Sequence, residues 1–116
     1  MRLALLGCTV LTLLAQGPTD LTRELGPSRQ RIDAIDDQIV KLLNERALVV
    51  RDVGLIKKRQ HAPAEAPERY EQVLRRIAGQ ARPPLAPDNL RRIYETIIAE
   101  MTAMEKREME KAPADR

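Results

Sequence analysis

Apolar residues recur at helical spacing over most of this chain. Numbering heptads from Arg29, one seam position holds Arg29, Asp36, Leu43, Val50 and Lys57, and the other holds Ile32, Ile39, Arg46 and Val53. Ile35, Leu42, Val49 and Ile56 flank that stripe. The spacing predicts one long helix over residues 28–60, with Ser28 as its N-cap and Gly54 as a mild interior weakness. Residues 19–28, containing Gly26 and Pro27, read as a polar connector. Pro63 and Pro67 bound a loop at residues 61–67. A second helix is expected over residues 67–80, with Tyr70, Val73, Leu74 and Ile77 on its apolar face. Arg82-Pro83-Pro84 breaks it, and a third helix is expected over residues 87–111. Its stripe is Leu90, Ile93, Tyr94, Ile97, Ile98, Met101 and Met104. Residues 112–116 should form a frayed tail. The expected organisation is therefore all-α, one long and two shorter helices, with the organised domain at residues 28–111.

Composition supports the helical reading. Aromatic residues make up 2% of the 116 residues and Phe and Trp are absent, which argues against a sandwich or barrel. A single Cys and a single His leave no disulfide framework and no multi-ligand zinc site, so no metal is expected. The five Gly form no phosphate-binding loop. Twenty basic against seventeen acidic residues, net +3, leans toward anionic partners without the strong excess of a nucleic-acid binder. Lys41, Arg51, Lys58 and Arg59 give the first helix a basic face. That face could serve a helical interaction module or a nucleic-acid contact. With no aromatic platform it reads as a solvated surface.

The amino terminus stands apart. Met1-Arg2 precedes thirteen uncharged residues, 3–15 (LALLGCTVLTLLA), followed by Gln16-Gly17-Pro18. A basic start, an apolar core of that length and small residues after it describe a signal peptide over residues 1–17. The segment is too short to span a bilayer, so stable membrane insertion is not expected. The alternative is an apolar helix retained on the domain. The expected location is periplasmic or secreted if residues 1–17 are removed, and cytoplasmic if they are kept.

Charges that interrupt the apolar stripes carry the chemistry. Most ionic residues fall on outward faces, but Arg29, Asp36, Arg46 and Lys57 lie on the seam of the first helix. Glu105 lies four residues after Met101, on the inner side of the third. Buried charge costs several kcal/mol unless paired. Heads at the ends of a seam can snorkel to water. Arg46, between Ile39 and Val53, has no such exit. Arg46 and Lys57 are eleven residues apart, so they share a face to within ~20° and stand roughly 16 Å apart along the axis. Together they can grip a small dianion. Arg29 lies about 25 Å before Arg46. A helix over residues 28–60 extends roughly 50 Å, against ~30 Å for a small domain. Such a helix needs a second copy to cover its stripe, and a partner's Arg29 could then complete the pocket.

These residues resemble the all-helical (AroQ-class, type II) chorismate mutases. The match is carried by RQRIDAIDDQIVKLLNERALVVRDVGLIKK, APERYEQVLRRI and LRRIYETIIAEMTAMEK, and covers residues 28–106. The resemblance implies an intertwined helical homodimer with active sites shared between chains. It also implies the cofactor-free [3,3] rearrangement of chorismate to prephenate, a step in aromatic amino-acid synthesis. Arg29 from the partner and Arg46 would bind the substrate carboxylates. Lys57 would hydrogen-bond the ether oxygen, Arg69 would support the site, and Glu105 would give the ether oxygen a second hydrogen bond. Three positions depart from the family. Tyr70 stands where mutases usually carry a Glu facing the substrate hydroxyl, Ala66 replaces an acidic loop residue, and Met101 replaces a small polar one. These departures raise an alternative on the same fold, an isochorismate-pyruvate lyase, and behind it a non-catalytic relative.

Overall fold

A computed structural model describes residues 18–114 of the chain. The expected signal segment, residues 1–17, and the last two residues lie outside the described part. Three helices follow one another: α1 (Pro18–Arg59), α2 (Pro67–Ala78) and α3 (Pro87–Lys111), with no strand among the described residues. The all-α, three-helix reading holds, one helix long and two shorter.

One boundary differs from expectation. Residues 18–27 are helical, so Ser28 lies inside α1 and caps nothing. Gly26-Pro27 was expected to break the chain. Pro27 does forfeit one backbone hydrogen bond, but the residues before it favour helix. Leu21, Arg23, Glu24 and Leu25 have high helical propensity. Asp20 sits in the first turn, where the helix dipole favours an acid, and pairs with Arg23 at 2.6 Å.

The chain divides into two compact units, with the division at Gln38/Ile39 inside α1. In the first unit, Leu21, Ile32 and Ile35 are exposed, Ile32 by 55%. The second unit holds the last turns of α1 together with α2 and α3. Its core is small: Ala64, Val73, Leu74 and Ile77 are buried, and Leu74 is fully enclosed. Val73, Leu74 and Ile77 are the expected face of α2. The α3 stripe is only partly covered, with Tyr94, Ile97, Ile98 and Met101 half-buried and Ile93 exposed. Leu42 and Val49 of α1 are exposed by 61% and 62%, and Ile39, Leu48, Val53 and Ile56 are exposed as well.

The helix ends have separate causes. After α1, the His61 N–H reaches the Lys58 carbonyl at 3.1 Å and the Ala62 N–H reaches the Lys57 carbonyl at 2.8 Å. This paired arrangement is a Schellman motif, and it places His61 in the left-handed region at φ 54°. Helices α2 and α3 each carry Pro in the first turn, where its missing N–H is not needed. Before α3, the Asn89 side-chain oxygen accepts from the Ala86 N–H at 3.3 Å. Arg91 on α3 bridges Glu71 on α2 at 3.4 Å and Glu95 on its own helix at 3.1 Å.

Candidate active site

A cleft of about 720 Å³ opens in the second unit, between the end of α1, the 61–66 loop, α2 and α3. Arg46, Lys57, Arg69, Tyr70, Met101 and Glu105 all line it. Its apolar wall includes Val49, Val53, Val73 and Ile98. Six of the residues singled out from sequence therefore meet in one place. Arg29 does not line this cleft. It belongs to the first unit and is exposed.

Glu105 is the one buried ionisable residue among those described, at 4% exposure. It reaches that depth because Gly54 faces it. A Cβ at position 54 would stand 2.8 Å from Glu105 Cγ and 3.2 Å from Met109 Cγ, so only glycine admits α3 this closely. The mild interior weakness read at Gly54 is a close approach of two helices.

Lys57 and Glu105 meet in the cleft. Lys57 Nζ lies 2.8 Å from Glu105 Oε1 and donates to the Ala64 carbonyl at 2.6 Å. The approach to Oε1 has ion-pair distance without hydrogen-bond alignment, and Oε1 has no aligned donor. Arg46 Nη1 is likewise buried with no acceptor. An unmatched buried polar atom costs about 1–3 kcal/mol. Here one cleft holds both a guanidinium donor and a carboxyl oxygen without aligned partners. An anionic ligand in the cleft would satisfy the first.

Two further charged residues line the cleft that the helical pattern did not single out. Glu65, in the 61–66 loop, pairs with Lys106 of α3. Hydrogen bonding from Lys106 holds the Glu65 carboxyl below its ordinary value. Glu65 has no periodicity to read, because it lies in a loop. Lys106 falls outside the α3 stripe and looked solvated, and its side chain is indeed half exposed. The loop places Glu65 beside Ala66.

Lys58 also departs from its expected place. It was assigned to a solvated basic face, yet its ammonium donates to the Met109 carbonyl at 2.6 Å and to the Ala112 carbonyl. The carbonyls at the end of α3 lack intrahelical donors, and a cation there also meets the negative end of the helix dipole.

The cleft thus holds a lysine–carboxyl pair beside an unmatched guanidinium nitrogen, and the comparisons with known proteins bear on the family. Residues 28–106 match the family model described as chorismate mutase type II. The chain is 30% identical over 91 residues to a chorismate mutase of Methanocaldococcus jannaschii, covering 78% of this chain and 92% of that protein. It is 37% identical over 91 residues to a bifunctional chorismate mutase/prephenate dehydratase of Aquifex aeolicus, covering 72% of this chain. The matched part spans 24% of that longer protein. The fold is similar to that of a crystallised chorismate mutase from Helicobacter pylori in complex with prephenate, with a TM-score of 0.72 at 23% identity over 78% of this chain and 99% of that one. The chain belongs to the type II chorismate mutase family.

Proposed function

We propose that this protein is a chorismate mutase, converting chorismate to prephenate in the Lys57/Glu105 cleft. The observation that carries the reading is the unmatched Arg46 guanidinium nitrogen lining the same cleft as the Lys57–Glu105 pair. Chorismate is a flexible dianion that must fold into a compact chair-like conformer before it reacts. Arg46 and Arg69 hold its carboxylates and restrict it to that conformer. The rearrangement breaks the ether C–O bond as a new C–C bond forms, with no atom gained or lost. Negative charge grows on the ether oxygen. The Lys57 ammonium, held in place by the Ala64 carbonyl, stabilises it. Glu105 in its protonated form adds a second hydrogen bond. No step calls for a nucleophile, a metal or a cofactor.

The working form is a homodimer with shared sites. Its support is the exposed apolar surface of α1, present in both units, and the small core of the second. Removing apolar surface from water is worth roughly 25 cal/mol per Å², and a second copy is the natural cover for so long a stripe. Arg29, outside the cleft of its own chain, reaches the partner's substrate carboxylate in this arrangement. Export of the protein rests on residues 1–17 alone; N-terminal sequencing of protein from its native host should find a start near residues 16–18, and an intact Met1 would count against it.

Tyr70 favours a second reading. It lines the cleft where the family carries an acidic side chain, so the grip on the ring hydroxyl differs. An isochorismate-pyruvate lyase would fit that change. Incubation with chorismate and, separately, with isochorismate separates the two. Prephenate from chorismate is the expected result. Pyruvate from isochorismate without prephenate from chorismate would assign the lyase, and inertness toward both would remove the enzymatic reading.

A further inference from the structure

One turn of α1 presents three different features to α3. Position 54 has no side chain, which lets Glu105 and Met109 approach. Three residues on, the Lys57 ammonium meets Glu105. Four residues on, the Lys58 ammonium holds the carbonyls of Met109 and Ala112. Offsets of three and four share a helix face. The contact at Gly54 is apolar and non-directional, so by itself it tolerates sliding of α3 along α1. The bonds from Lys58 are directional. They grip α3 one turn beyond Glu105, and a helix transmits its register rigidly over one turn.

We propose that Lys58 is a positioning residue for the reaction. By holding the Met109 carbonyl in the last turn of α3 and the Ala112 carbonyl just after it, Lys58 sets the depth and rotation at which Glu105 meets Lys57 and the substrate's ether oxygen. This inference rests on Lys57 and Glu105 being the groups that meet the ether oxygen. A misplacement of about 1 Å in such a group can cost on the order of a hundredfold in rate. Arg46 and Arg69 stand on α1 and α2, so the binding of substrate carboxylates does not depend on the register of α3. Loss of the clamp therefore falls on kcat and spares KM.

The test compares Lys58→Met, which keeps the apolar stem, with Lys58→Arg, which keeps a donor. Two readouts are taken on the full chain: kcat and KM for chorismate, and the ¹³C resonance of the Glu105 carboxyl in ¹³C-glutamate-labelled protein, assigned through Glu105→Gln. Lys58→Met should lower kcat roughly ten- to a hundredfold with KM within about threefold, and should move the Glu105 resonance. Lys58→Arg should restore most of the rate and the resonance. In a Glu105→Ala background, Lys58→Met should add less than about twofold, because the group it positions is gone. Should Lys58→Met fail to fold, Lys58→Gln, with a shorter polar reach, takes its place in both measurements. An unmoved Glu105 resonance, or a full loss of rate in the Glu105→Ala background on top of that mutation, overturns the inference. If wild-type protein converts no chorismate while the resonance still moves, the positioning stands and the mutase reading falls.

Discussion

At the residue scale, the site turns on one carboxyl group. In the proposed reaction Glu105 gives the ether oxygen its second hydrogen bond. Glu105→Gln keeps a donor and should stay active, whereas Glu105→Ala should lose about a hundredfold or more in kcat, read as the rate of prephenate formation. A Gln variant as inactive as the Ala variant would remove that donor from the account. Gly54→Ala tests the close approach below it. The added methyl meets Glu105 Cγ at 2.8 Å, and Glu105 is too buried to swing aside. Denaturant unfolding should show a loss of about 1–3 kcal/mol, together with a lower kcat. Unchanged stability would mean that α3 can withdraw freely. Arg46, Lys57 and Glu105 were legible in the sequence because each interrupts an apolar stripe, where an ionic side chain needs a reason. Glu65, Lys106 and Lys58 were not. Their partners are a loop, a half-exposed ion pair and two backbone carbonyls, none of which leaves a mark on helical periodicity.

At the scale of elements, the three helices and their order followed from spacing and prolines. Pro67 and Pro87 mark first turns in the structure as they do in the sequence. The start of α1 did not follow. Gly26-Pro27 has the local chemistry of a break, and the good helix formers on its N-terminal side, Leu21, Arg23, Glu24 and Leu25, outweighed it. The end of α1 holds a feature that the pattern could not announce. His61 occupies a left-handed conformation at φ 54° to close the Schellman motif. That conformation costs a side-chain-bearing residue about 1–2 kcal/mol. Glycine avoids the cost but gives back about 0.5–1 kcal/mol through its freedom in the unfolded chain. His61→Gly should thus raise stability modestly, by roughly 0.5–1 kcal/mol from these opposing terms, in urea unfolding, with kcat unchanged. A destabilised variant would show that the His61 side chain makes a contribution of its own.

At the scale of the whole molecule, the proposed homodimer is supported by the exposed apolar residues of α1. Sedimentation should give a dimer at working concentrations, and a stable active monomer would contradict it. Arg29→Ala and Lys57→Ala should each be nearly inactive alone. Mixed and allowed to exchange chains, they should regain activity, because one heterodimer site then receives an intact Arg29 and an intact Lys57. Exchange without recovery would place each site within a single chain. The central claim is that the Lys57/Glu105 cleft turns chorismate into prephenate. Its most direct measurement follows both compounds by ¹H NMR, with wild-type protein and with Lys57→Ala prepared identically. Wild-type protein should form prephenate far faster than buffer, and Lys57→Ala should lose on the order of 10²–10³ in kcat, the usual cost of removing one donor to a developing oxyanion. Prephenate formation no faster than in buffer, or equal rates for the two proteins, would contradict it.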